Sequence, residues 1–110
     1  MLLANVAMAE PFFLGGLDGK CLTVKGNTSK NGTAIVLSTC TGENNQKWSY
    51  MIGNMIVGLG GKCLTVSAGE DGTPVILWPC DRRGGIAGQK WTPTKTGEVR
   101  GLGNKCLDVY

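Results

Sequence analysis

The chain has 110 residues, of which 18 are glycine and five are cysteine, and its formal net charge is +3. This length fits one small domain with a modest core. The chain contains no histidine, which excludes most metal sites, Ser-His and Cys-His nucleophile pairs and the commonest general base. No lysine or arginine run exists beyond Arg82-Arg83, so we do not expect a nucleic-acid partner.

Residues 1–11 precede the rest of the pattern and are interpreted separately. Ala7-Met8-Ala9 has the small-x-small form of a signal-peptidase site. We interpret 1–11 as a remnant of a signal peptide; the alternative is an N-terminal arm that packs on the domain. No apolar run of about 20 residues occurs, so no membrane span is expected.

A repeat organises the remaining chain. Gly-Lys-Cys-Leu-Thr-Val occurs at 19–24 and at 61–66, and Asn-Lys-Cys-Leu-Asp-Val follows at 104–109. Gln-Lys-Trp returns after 43 residues, at 46–48 and 89–91. We therefore place one domain at 12–110 and divide it into repeats of about 12–54, 55–96 and an incomplete 97–110.

Short β-branched and apolar runs separated by turn residues predict strands throughout these repeats. The turn signals are Asp18-Gly19, Asn31-Gly32, Gly60-Gly61, Asp71-Gly72 and Gly103-Asn104. The prolines beside the run at 73–80 indicate a short or edge strand there. The predicted strands are 13–17, 21–24, 34–40, 46–50, 55–59, 63–66, 73–80, 89–92, 97–102 and 105–109.

The cysteines follow the same repeat. Each of the first two repeats has one cysteine in its second strand and one at the end of its third, which predicts the disulfides Cys21–Cys40 and Cys63–Cys80. A disulfide closing a loop of about 20 residues contributes about 3 kcal/mol and indicates an oxidising compartment. Cys106 occupies the second-strand position of the third repeat. We expect its partner beyond residue 110; the alternative is a buried thiol.

Two aromatic and two amide residues also recur. Periodic tryptophans are usually core residues, so Trp48 and Trp91 are predicted to be buried. Gln46 and Gln89 stand two residues before them and are predicted to bond loop backbone.

The units Lys-Cys-Leu-(Thr/Asp)-Val, Leu-Trp-Pro-Cys and Gln-Lys-Trp, at this spacing, resemble the ricin B-type lectin repeat over residues 13–110. The resemblance implies a β-trefoil, in which three four-stranded repeats surround a pseudo-threefold axis. Measured against that pattern the chain is apparently truncated within the third repeat. The resemblance also implies sugar binding in shallow pockets, up to one per repeat, without a cofactor.

The family's pocket uses an aspartate two places after the first cysteine and an aromatic platform in the third strand. It also uses a polar residue at, or just before, the glutamine of Gln-x-Trp. Aspartate accepts hydrogen bonds from sugar hydroxyls, and the aromatic ring stacks on the apolar sugar face. In repeat one, Thr23 and Ser38 replace the first two groups, whereas Asn45 and Gln46 match.

In repeat two, Thr65 replaces the aspartate and Gly88 the asparagine, whereas Trp78 and Gln89 match; repeat three retains Asp108. Because threonine lacks charge assistance, the first two repeats resemble the family's degenerate repeats. The alternatives are that Trp78 is a partly exposed packing residue and Asp108 a loop cap. The implied carbohydrate-binding residues are Asp108, Trp78, Asn45, Gln46 and Gln89.

The function expected from this resemblance is non-catalytic binding of galactose- or xylan-type glycans. The protein would be a secreted lectin or the targeting module of a glycosidase, with covalent linkage to a catalytic domain as an option. The alternative is a structural or protein-interaction trefoil, which the missing aspartate in two repeats favours. An enzyme is not expected, because no carboxylate pair suited to acid–base catalysis stands out and no metal site is implied.

Overall fold

The computed structural model describes residues 20–94 and 99–107, and within these ranges the chain is all β, as predicted. Short 3-10 turns connect the strands, and no helix in the described ranges is long and apolar enough to cross a membrane. The strands are β1 Cys21–Val24, β2 Ile35–Ser38, β3 Ser49–Met51, β4 Met55–Val57, β5 Cys63–Val66, β6 Val75–Trp78, β7 Thr92–Pro93 and β8 Val99–Arg100.

All of these strands pair antiparallel with neighbours in the sequence. β1 pairs with β2, the strands β3 to β6 form one four-stranded sheet, and β7 pairs with β8. The first and second repeats use the same register, since Cys21 lies opposite Ser38 and Cys63 opposite Trp78. β6 has four residues, which confirms the short strand predicted from its flanking prolines. It is the last strand of its sheet but is not a free edge, because Ile76 forms a bridge with Ala34 and the Leu77 N–H donates to Thr33 O at 2.9 Å.

Several predicted strands are longer than those observed. The third strands end at Ser38 and Trp78, before the disulfide cysteines. The prediction that the fourth strands begin at Gln46 and Gln89 is wrong, because both residues close 3-10 turns, at Asn44–Gln46 and Ala87–Gln89.

The last predicted strand, 105–109, is reduced in the described part to a single bridge between Cys106 and Arg100. The predicted strand 13–17 lies outside the described residues, and so does the Asp18-Gly19 turn.

Two of the predicted tight turns have the expected backbone. Gly60 and Gly61 both have φ of 71°, and Gly103 and Asn104 have φ of 69° and 58°. Glycine and asparagine adopt this left-handed backbone with little strain. Both turns are three-residue 3-10 turns, Leu59–Gly61 and Leu102–Asn104, and each is closed by a 2.8 Å bond, from the Gly58 N–H to Lys62 O and from the Gly101 N–H to Lys105 O. The residue choice at these turns therefore sets where each hairpin reverses.

The two repeating tryptophans lie in the core, as predicted. Trp48 is fully buried and Trp91 is 2% exposed. Their indole N–H groups donate to Leu22 O at 3.1 Å and to Leu64 O at 2.9 Å, so neither ring leaves a buried donor unpaired. The other fully buried aliphatic side chains include Ile56, Leu64, Leu77 and Val24.

A glycine from the following repeat covers each indole. A Cβ atom on Gly58 would lie 2.5 Å from Cζ3 of Trp48, and a Cβ on Gly101 would lie 2.5 Å from Cζ3 of Trp91. No real Cβ fits at that distance, so each ring packs directly on backbone. Half-buried Tyr50 packs on the same core and donates its hydroxyl to the Trp91 carbonyl. Burial raises the pKa of this phenol, which keeps it a donor.

Both predicted disulfides form. The Cα atoms are 5.1 Å apart for Cys21–Cys40 and 5.0 Å apart for Cys63–Cys80. Each bond ties the second strand of its repeat to the segment that follows the third strand. Cys106 is exposed and takes part in neither bond.

Removing the first disulfide as the pair Cys21→Ala and Cys40→Ala is expected to lower the free energy of unfolding by about 3 kcal/mol, because the unfolded chain regains loop entropy. Urea unfolding under non-reducing conditions measures this. The pair Cys63→Ala and Cys80→Ala is the matched comparison and should cost a similar amount. No loss in either double variant would contradict the prediction.

Candidate functional site

A groove opens beside Trp78, the last residue of β6. Its volume is about 520 Å³. The indole is 40% exposed, in contrast to the buried rings of Trp48 and Trp91. The groove thus contains an aromatic face that a ligand can reach. The other lining residues are Thr65, Val66, Ser67, Ile76, Gly85, Ile86, Ala87, Gly88 and Leu102.

The structure brings together the second-repeat residues that the resemblance singled out. Thr65 and Gly88 line the groove with Trp78, and Gln89 lies behind Thr65. The Thr65 hydroxyl donates to Cys63 O at 2.9 Å and accepts from Gln89 Nε2 at 3.1 Å. This hydroxyl is therefore already engaged at the base of the groove.

Gln89 is 1% exposed and holds the loop that follows β6. Its Oε1 accepts from the backbone N–H of Asp81 at 2.8 Å, and its Nε2 donates to Pro79 O at 2.8 Å as well as to Thr65. The predicted bonding of Gln89 to loop backbone is confirmed. Gln89 does not line the groove. It would affect a bound ligand only by holding Thr65 and the loop backbone in place.

The first repeat builds the same network without a platform. The Thr23 hydroxyl lies 2.7 Å from Ser38 Oγ and accepts from Gln46 Nε2 at 3.1 Å. Gln46 is 1% exposed, donates to Thr39 O at 2.8 Å, and accepts from the Thr41 N–H at 2.7 Å. Ser38 stands where Trp78 stands in the second repeat, so this repeat presents no aromatic face at that position.

Asn45 and Gly88 occupy equivalent positions in the two repeats, and each lies against the carbonyl of an equivalent valine. Asn45 is buried and its amide donates to Val24 O at 3.0 Å. A Cβ on Gly88 would lie only 1.7 Å from Val66 O, the equivalent carbonyl of the second repeat. The Gly88 backbone thus occupies the space that the asparagine side chain fills in the first repeat. A comparison of motifs shows only that the asparagine is missing; it does not show that position 88 has no room for a Cβ atom.

The loop 81–90 forms one wall of the groove, and Asp81 shapes it. Its carboxylate accepts from the backbone N–H of Arg83 at 3.1 Å and of Gly85 at 2.8 Å. An aspartate three residues before a glycine pair is a recognisable loop signal, but nothing in the sequence indicated that its two oxygens are directed to backbone. Asp108, the remaining predicted ligand, lies outside the described residues.

Comparison with known proteins agrees with this architecture. The model of the ricin-type β-trefoil lectin domain family matches residues 13–110. The ribosome-inactivating protein SNAI' of Sambucus nigra is 44% identical over 67 residues, which are 61% of this chain and 11% of that protein.

Two solved structures extend the likeness. The agglutinin from Abrus precatorius superposes with a TM-score of 0.77 at 29% identity, covering 86% of this chain and 36% of that one. A non-toxic homologue of type II RIPs from Momordica charantia, solved with α-methyl-D-galactoside, gives a TM-score of 0.76 at 28% identity, covering 87% and 36%.

The chain spans little of the length of its curated relatives, 11% of the Sambucus protein and 13% of a seed lectin from Trichosanthes anguina. The likeness therefore concerns the lectin domain and not the whole of those proteins. Within that domain, the family match covers nearly the entire sequence, and the paired strands, disulfides and buried tryptophans agree with it. The chain belongs to the ricin-type β-trefoil lectin family, whose domain is a carbohydrate-binding module.

Proposed function

We propose that this domain binds a galactose-type glycan without catalysis, and that the groove beside Trp78 is the site in the described part of the chain. One observation carries the proposal: Trp78 exposes 40% of its surface within the groove, whereas Trp48 and Trp91 are buried. An exposed indole offers an apolar face on which the C–H side of a sugar ring stacks. The galactoside bound by the Momordica relative supports this choice of sugar.

Polar recognition in this groove would come from backbone and hydroxyl groups. Thr65 is held by Cys63 O and Gln89, so its hydroxyl offers one remaining acceptor position to a sugar hydroxyl. We therefore assign Gln89 and, in the first repeat, Gln46 to the support of a pocket and not to direct sugar contact. Asp108 stays a proposed ligand, because aspartate at its position accepts charge-assisted hydrogen bonds.

Replacing Trp78 by alanine is expected to weaken binding of methyl α-D-galactoside by about tenfold or more, about 1.4 kcal/mol or more. The stacking face disappears while the buried core is left intact. Calorimetric titration of the parent chain and the variant measures this directly. In a separate NMR titration of the parent chain, the indole N–H signals test where the ligand binds. Of the three tryptophans, only Trp78 should shift, because the other two indoles donate to Leu22 O and Leu64 O.

The matched control is Ile52→Ala, which removes another exposed apolar side chain, 83% exposed, that does not line the groove. Its affinity should equal that of the parent chain. Equal affinity in the Trp78 variant, or galactoside-induced shifts of the other indoles with none at Trp78, would contradict the proposed site.

A second candidate function is a scaffold that has lost sugar binding. The observation in its favour is that both threonine hydroxyls at the aspartate position are engaged internally. A flat response across galactosides, xylan fragments and a broad glycan array would favour the scaffold.

We further propose that the domain is secreted, as a lectin or as the targeting module of a larger protein. Two disulfides support an oxidising compartment. Attachment to a catalytic domain is an open part of this proposal, and sequencing of the complete reading frame tests it.

A further inference from the structure

A second recess lies on the loop 81–90, beside the Trp78 groove. Its volume is about 320 Å³, and Arg82, Arg83 and Lys90 are among the residues that line it. All three residues are exposed. We call this the cationic recess. It is a concave surface with three positive side chains and one carboxylate, that of Asp81, in a chain whose net charge is +3.

The fold holds these charges near one another. A Cβ on Gly84 would lie 3.6 Å from Nζ and 3.7 Å from Cε of Lys90, so the ammonium group rests against the backbone next to Arg83. Gly84 has φ of 76° and turns the loop at this point. The ammonium thus lies at the same turn that carries the two arginines.

The local carboxylate does not neutralise this cluster through a salt bridge. Asp81 directs Oδ1 to the Arg83 backbone N–H and Oδ2 to the Gly85 backbone N–H. Among residues 20–94 and 99–107, the close ion pair seen is Lys105 with Asp71, at 3.1 Å, and it does not involve the recess. Like charges held together in a concave surface without an ion-pair partner favour an anion there.

The cationic recess and the Trp78 groove are adjacent on the loop, because Ile86 lines both. We infer that the glycan bound at Trp78 is acidic, and that Arg82, Arg83 and Lys90 form a subsite for an oxyanion on a neighbouring sugar. This inference rests on the proposed function. Guanidinium groups match the planar, multi-oxygen geometry of sulfate esters and carboxylates, and a lysine adds a point charge.

The test compares three oligosaccharides of equal length on the full chain: a neutral galactan fragment, its sulfated counterpart and a galacturonate. Calorimetry or NMR titration at about 50 mM salt should show an acidic ligand binding about 5- to 20-fold more tightly than the neutral one, as a few partly exposed charge pairs would give. Raising the salt should reduce this preference, because exposed charges are screened. The sulfated and galacturonate arms identify which oxyanion the recess prefers.

The informative variant is Arg82→Gln with Arg83→Gln. It should bind the neutral fragment as the parent chain does and lose most of the preference for the acidic one. The control is Lys30→Gln with Lys47→Gln, which removes the same charge from two exposed lysines outside both recesses and should keep the preference.

Each outcome separates the inference from the function on which it rests. Neutral binding without an acidic preference overturns the cationic subsite and leaves the sugar site standing. Equal loss of preference in the two charge variants overturns it as well, because net charge alone would then explain the effect. Acidic binding that survives Trp78→Ala unchanged shows a general polyanion surface and also overturns it. Absence of binding by all three ligands contradicts the proposed function itself.

Discussion

Replacing Trp48 by alanine is expected to lower the free energy of unfolding by about 3–5 kcal/mol. The indole is fully buried, packs against the backbone of Gly58, and donates to Leu22 O. Alanine would leave a large cavity and a buried carbonyl without its donor. Since small domains are stable by about 5–15 kcal/mol, this single change would bring the protein near the limit of folding. Urea unfolding followed by far-UV circular dichroism measures the loss.

Trp78→Ala is the matched control. It is the same substitution, made at a tryptophan whose indole is 40% exposed. We expect that variant to lose about 1 kcal/mol or less. Trp91→Ala should resemble Trp48→Ala, since Trp91 packs on Gly101 and donates to Leu64 O in the same way. Similar stability losses at Trp48 and Trp78 would contradict the division between core and site tryptophans.

Much of the fold could be predicted from the sequence, because the residues that specify its turns and strands are close together in the chain. Glycine and asparagine at the tight turns specify a positive φ, and the Cys-Leu-Thr-Val units became β1 and β5 without a change of bounds. The ends of the other strands were less predictable. The predicted bonding of Gln46 and Gln89 to loop backbone is present, but both residues end 3-10 turns and do not begin strands. Residue periodicity does not distinguish these two conformations over so few residues.

Contacts between repeats were the part that the sequence could not predict. Lys62 donates to Ser29 O, and Lys105 pairs with Asp71, so the lysine of each later Lys-Cys unit reaches a loop of the preceding repeat. The repeated lysine was visible in the sequence, but its partners differ in chemistry, one a carbonyl and one a carboxylate. A pattern search has no means of pairing such groups.

The candidate site was predicted in part, for the same reason. Trp78 is the last residue of β6, and its 40% exposure agrees with both interpretations that the sequence left open, a sugar platform and a partly exposed packing residue. The role of Gly88 follows from the folded backbone, in which a Cβ at this position would lie 1.7 Å from Val66 O. The cationic recess likewise depends on Lys90 folding back onto Gly84, six residues earlier in the chain.

Replacing Gln46 by leucine is expected to cost about 3–5 kcal/mol, even though the volume is nearly kept. Gln46 makes five hydrogen bonds, two of them from the backbone N–H groups of Thr41 and Gly42. Each contributes about 1 kcal/mol, and a partner left buried without a bond costs more. Water can reach exposed Thr39, Thr41 and Gly42. The buried Thr23 hydroxyl keeps its contacts with Cys21 O and Ser38 Oγ, so the loss should lie toward the lower end of this range.

Gln46→Glu removes the donating end of the amide and adds a buried charge. A carboxylate still accepts from Thr41 and Gly42 but cannot donate to Thr39 O, and it is desolvated at this 1% exposed position. This variant should therefore lose at least as much stability as Gln46→Leu near pH 7. The neighbouring change Lys47→Ala, at an exposed position, should alter stability by less than about 0.5 kcal/mol. Gln89→Leu should match Gln46→Leu, because Gln89 bonds Asp81, Pro79 and Thr65 in the second repeat. If the leucine variants unfold at the parent's urea midpoint, the amides do not hold the loops that frame these sites, and the Trp78 groove must be supported in another way.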